Sequence, residues 1–117
     1  MNESLGLRAL IGRELSSVEF VRDYVQLRFD GPCLSAIIKL VVRRGEVSIV
    51  PGTVGYADAL VGLIGDEVQS ALALAGDVLR VVFQGGTSIE VSLRPEDYRL
   101  GPEAVILRNA PDEVWVW

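Results

Sequence analysis

At 117 residues the chain has the size of one ordinary domain, large enough to bury a core without a disulfide or a structural metal. Half of its residues are hydrophobic and 23% are charged, which excludes a disordered chain, and no apolar run approaches the length of a transmembrane helix. The formal charge of −5 is uneven: residues 1–53 carry seven basic and six acidic side chains, residues 54–117 four basic and ten acidic, and so acidic a second half argues against generic nucleic-acid binding.

Residue types narrow the chemistry further. Histidine is absent, which removes Ser-His and Cys-His nucleophilic pairs and the commonest transition-metal ligand. Cys33 is the only cysteine, so no intrachain disulfide forms; without an imidazole to activate it, it reads as a structural thiol. Met1-Asn2-Glu3-Ser4 has neither the basic start nor the apolar stretch of a secretory leader. The expectation is a cytoplasmic protein with no membrane span, no metal and no cofactor.

In chain order, Leu7, Leu10 and Ile11 have helical spacing, and Gly12 stands where a left-handed stop is wanted. Val25, Leu27 and Phe29 alternate with Tyr24, Gln26 and Arg28 as in a half-buried strand. Leu34, Ala36 and Ile38 follow the turn Asp30-Gly31-Pro32. Arg44-Gly45 marks another turn, and Pro51-Gly52-Thr53 leads into a longer helix through Tyr56, Leu60, Leu63 and Ile64, ending at Gly65. Leu79, Val81 and Phe83 then repeat the alternation, and after Gly101-Pro102 come Ala104–Leu107 and Val114–Trp117 as terminal strands. Val78 and Val82 stand where Tyr24 and Arg28 stood, an outward face that these last strands are expected to cover.

The two halves resemble each other. Leu7 to Ser17 aligns with Leu60 to Ser70 with six identities in eleven positions, among them Ile11/Ile64, Gly12/Gly65 and Glu14/Glu67. With one residue inserted in each of the next two turns, Phe29 faces Phe83 and Asp23 faces Asp77. These signs predict a single α+β, strand-rich domain over 1–117. It would consist of two pseudo-repeated helix-turn plus β-hairpin units, about 5–50 and 54–98, packed in one small sheet or roll, with C-terminal strands over 103–117.

No catalytic set emerges. The polar candidates are Asp23 and Asp77, equivalent in the two halves, and Glu103 among apolar neighbours. Pro51-Gly52-Thr53 lacks the Lys and Ser/Thr of a phosphate loop and reads as a helix start. Trp115 and Trp117 alternate with Val114 and Val116, so both rings share one face; core packing and a partner or dimer surface both remain open for them.

The run Leu-Ile-Gly-x-Glu-Val, the apolar-x-Phe-x-Gly segment, Gly101-Pro102-Glu103 and the Trp-rich end resemble a family of short bacterial proteins of unknown function, in the style of immunity partners of polymorphic toxins. The resemblance implies a bacterial cytoplasmic protein that binds another protein, and it carries over no catalytic residue. The expected function is therefore a non-enzymatic binding or assembly module, a homodimer or an immunity-type inhibitor. A small-molecule pocket or carboxylate-based enzyme is the alternative. A chelator should leave the melting temperature unchanged, since only carboxylate sites for a hard cation remain; a fall of several degrees in a thermal melt with EDTA would overturn that expectation.

Overall fold

A computed structural model describes residues 4–98, 101–110 and 112–117; Met1–Glu3, Arg99, Leu100 and Pro111 lie outside them. Among these residues there are ten strands: β1 Ser17–Val21, β2 Tyr24–Arg28, β3 Cys33–Ala36, β4 Leu40–Arg44, β5 Val47–Ile49, β6 Val68–Leu74, β7 Val78–Phe83, β8 Ser88–Ser92, β9 Val105–Ala110 and β10 Glu113–Val116. They form two five-stranded antiparallel sheets, ordered β1-β2-β3-β9-β10 and β5-β4-β8-β7-β6.

This corrects the expected α+β arrangement of helix-turn units on one sheet or roll. The first expected helix is a 3₁₀ turn, Gly6–Leu10, and the second is a six-residue α-helix, α1, Tyr56–Val61. Both are too short to recover the cost of starting a helix. The 3₁₀ turn ends at Leu10, with Ile11 already extended, and α1 ends at Val61, both ahead of Gly12 (φ +84°) and Gly65 (φ +93°), whose left-handed backbone disfavours side chains with a Cβ. Leu7 and Leu10, and Ala59 and Leu60, are still buried, so the helical spacing marks a single turn that caps the core. Thr53 contributes only its carbonyl, which accepts from Tyr56 N–H at 3.1 Å; no side chain caps α1.

Strand alternation is where local sequence prevails. Leu79, Val81 and Phe83 on β7 and Ile89 and Val91 on β8 are buried, with half-buried residues between them. Pairing places Leu27, Leu34 and Leu107 in one row of the first sheet and Val81, Ile89 and Val42 in one row of the second. The core lies between these inner faces. At its centre Phe29 and Phe83, both fully buried, stack with ring centroids 6.4 Å apart.

The matched segments meet at a backbone crossing. Glu14 and Glu67 form an isolated antiparallel bridge with each other. Gly12 N–H donates to Val68 O (2.9 Å) and Gly65 N–H to Leu15 O (2.8 Å), while Leu15 N–H donates to Asp66 O (3.1 Å) and Val68 N–H to Arg13 O (2.9 Å). Beyond the crossing each segment runs through three consecutive antiparallel strands, β1-β2-β3 or β6-β7-β8, and the chain then changes sheet. Hairpin β4–β5 follows β3 but pairs beside β8, and hairpin β9–β10 follows β8 but pairs beside β3.

The terminal strands therefore do not cover Val78 and Val82. They extend the first sheet, and Val78 and Val82 stand half-buried on the outer face of the second. Truncating Phe29 or Phe83 to Ala should cost about 3–5 kcal/mol each, because neither site can collapse around the lost ring. Urea unfolding that gave either variant a cost below about 1 kcal/mol would be surface-like and incompatible with the stacked pair.

Candidate functional site

An open groove of about 930 Å³ lies between the tip of the β1–β2 hairpin, the β3–β4 crossover and the outer face of the second sheet. The hairpin closes through the two-residue turn Arg22–Asp23, and its Phe20–Val25 pair extends the inner face of the first sheet to the groove, leaving Phe20 47% exposed. The crossover adds Ile37, Ile38 and Lys39. Below it α1 supplies Tyr56, whose hydroxyl donates to Leu40 O at 2.6 Å; burial pushes that phenol up to about 12.

From the second sheet come Val41, Arg43, Val78, Arg80, Glu90 and Ser92, all outward-facing positions. Arg80 faces Glu90 directly across β7–β8, and Arg43 reaches it from β4. Arg43 Nε and Arg80 Nε each donate to one Glu90 oxygen at 2.7 Å, and the carboxylate side chain is only 12% exposed. Burial by itself would raise the Glu90 carboxyl, but the two charged hydrogen bonds and the adjacent guanidinium charges outweigh it and hold the group below its ordinary value. At the groove's end Arg94 pairs with Asp77 at 3.6 Å, and Ser92 Oγ donates to Asp97 Oδ2 at 2.6 Å.

The structure brings Asp23 and Asp77 to this groove, on the hairpin tip and the β6–β7 turn. Glu103 is not among the lining residues; it stands half-buried ahead of β9. Among the described residues no group of three or more His, Cys, Asp or Glu side chains could hold a metal ion. Glu14 and Glu67 meet through their backbones, with both residues exposed. Cys33 is a buried free thiol.

Trp115 and Trp117 are half-buried and packed against the core, while Val114 and Val116 are 45% and 54% exposed on the other face of β10. The Trp115 ring lies on Gly6, where a Cβ would run into it, and its Nε1 donates to Glu113 Oε1 at 3.1 Å. That bond, with a second from Asn109 Nδ2, holds the exposed Glu113 carboxyl below its ordinary value.

Sequence reasoning missed the Arg43–Glu90–Arg80 set. Arg80 and Glu90 stand at the outward positions of alternating strands, which was a legible signal, but Arg43 joins them from 47 residues away.

Among the described residues no helix is long and apolar enough to cross a membrane. Comparison with known proteins finds no matching family model, no matching curated protein and no matching solved structure.

The lowered Glu90 carboxyl fixes a sign. Its stabilising effect is complete above the carboxyl range of an unfolded chain and is lost as pH falls through the lower folded-state value. Glu90→Gln should therefore unfold at lower urea than the parent at neutral pH, and the gap should close in acid, where the parent carboxyl is protonated too. A gap independent of pH would show that charge on Glu90 is not what the two arginines stabilise.

Proposed function

We propose that the chain is a non-enzymatic protein-binding or assembly module that presents the outer face of its second sheet to another protein. The observation that carries this reading is the composition of that face. Leu72, Leu74, Val78 and Val82 occupy outward positions on β6 and β7, Leu74 being 50% exposed and the other three half-buried. A solvated sheet face is ordinarily polar. Apolar side chains around arginines are the mixture found at protein interfaces. The resemblance to immunity-type bacterial proteins supports the same reading and a cytoplasmic setting for it.

A second copy of the chain is the partner that can be tested directly. Another observation offers a second route to it: β10 is the edge strand of the first sheet, with Val114 and Val116 exposed and no charged side chain from Val114 onward. The alternative of a small-molecule or carboxylate site draws on Asp23 and Asp77 reaching one groove. It calls for ligand-induced thermal stabilisation that is lost on Asp77→Asn.

Sedimentation velocity separates the surfaces. The sedimentation coefficient should rise with protein concentration, and Leu74→Lys with Val78→Lys should abolish the rise without lowering the melting temperature. If Val114→Lys with Val116→Lys abolishes it instead, the β10 edge is the interface. A chain that stays monomeric at high micromolar concentration is not a homodimer.

A further inference from the structure

The groove differs in charge from the chain that forms it. Arg22, Lys39, Arg43, Arg80 and Arg94 line it, five of the eleven cationic residues, against Asp23, Asp77, Glu90 and Asp97, four of the sixteen acidic ones. On a molecule of net charge −5 this is a local cationic surplus. Its cations are also incompletely used. Among the described residues Arg22 and Lys39 have no ion-pair partner. Arg43 and Arg80 share the single carboxylate of Glu90, and each engages it through Nε–H, so two guanidinium charges are offset by one anion. Phe20, Val25, Ile38 and Val78 supply apolar lining between these charges.

One wall of the groove ends in an open strand. β1 is an edge of the first sheet, with α1 near it, and among the described residues no loop or turn backbone bonds to Val18–Val21. The corresponding edge of the second sheet is plugged: Ser4 Oγ accepts from Ala73 N–H at 2.8 Å and lies 3.4 Å from Ala73 O. An open edge beside an apolar lining suits an extended chain, whose alternate side chains can enter the groove while its backbone runs along β1.

We propose that this groove binds an extended acidic segment of a partner protein, with apolar side chains against Phe20 and Val78 and carboxylates against Arg22, Lys39, Arg43 and Arg80. Charge complementarity selects the ligand: an unpaired guanidinium favours carboxylate, the cationic patch repels basic segments, and the negative charge elsewhere on the protein keeps an acidic segment from binding outside the groove. The inference rests on the protein-binding reading and names the chemistry of the partner.

Fluorescence anisotropy of a labelled peptide of about eight residues, long enough to span a strand, tests it on the intact protein. Three peptides are compared: alternating Val and Glu, the same with Gln for Glu, and the same with Lys for Glu. The acidic peptide should bind, weaken as salt rises, and exceed both others by about tenfold or more. Arg22→Glu with Lys39→Glu, both exposed positions, should reduce its affinity by a similar factor while the melting temperature holds. Equal binding of the Gln peptide overturns acidic recognition but leaves the protein-binding reading standing. Displacement of the acidic peptide by inorganic phosphate or by single-stranded DNA at matched charge overturns the peptide in favour of a general anion site. If no peptide binds, this inference falls, and the protein-binding reading falls with it only if the sedimentation coefficient also stays flat with concentration.

Discussion

Neither sheet of this protein is complete without strands from the other half of the chain. The exchange of β4–β5 for β9–β10, made across the Glu14–Glu67 crossing, is the constraint on which the rest depends. It puts β3 against β9 and β8 against β4, so the central pairings of both sheets join residues far apart in sequence, as in Leu34↔Leu107 and Ile89↔Val42. Neither half can then hold its core alone, and the Phe29–Phe83 stack lies where the two inner faces close on each other. Such connectivity favours cooperative unfolding and, because long loops must close before these contacts form, slow folding.

The exchange also creates the groove. To pass from β3 in one sheet to β4 in the other, the chain crosses through Ile37–Lys39, and this crossover lines the groove with the β1–β2 hairpin tip. Tyr56 secures the start of β4 by giving its hydroxyl proton to Leu40 O, a bond made in a setting that resists ionisation of the phenol. The Arg43–Glu90–Arg80 set needs β4 beside β8, which only the exchange provides. Burying a carboxylate to this degree is tolerable because two donors replace the lost water, and the excess positive charge is left facing the groove.

What was legible in the sequence was local. The alternation at Val25-Leu27-Phe29 and Leu79-Val81-Phe83 identifies strands because period two needs only neighbours along the chain, and all but Val25 of these are fully or nearly fully buried. The same kind of reasoning overstated helix. Leu7, Leu10 and Ile11 satisfy a helical spacing that a single 3₁₀ turn also satisfies, and Ile11 is 47% exposed. Gly12 and Gly65 look like helix stops in the sequence, but the 3₁₀ turn ends at Leu10 and α1 at Val61, before either is reached. Asp23 and Asp77 were picked out from the aligned halves and do face one groove. Glu103 was picked out for its apolar neighbours alone, and such neighbours carry no information about where a chain meets a distant strand. The pairings β3–β9 and β4–β8 have no local signature at all, so neither the exchange nor the arginines around Glu90 could be read before the fold was known.

The two outer faces show what the exchange does to symmetry. On the first sheet the outward side chains bond one another: Arg28 pairs with Glu19 at 3.7 Å and reaches Gln26 at 3.4 Å, and Gln26 donates to Ser35 at 3.2 Å. This is a polar network suited to water. On the second sheet the positions of Tyr24 and Arg28 are taken by Val78 and Val82, and Arg43 and Arg80 converge on Glu90. Had β9 and β10 folded back over that face they would have covered it, but β3 would then have lost its neighbour and the first sheet its far edge. The residues aligned in sequence thus differ on the outer faces, while Phe29 and Phe83 are both buried. The apolar positions of that face lie beside the groove in which Arg22 and Lys39 have no ion-pair partner among the described residues.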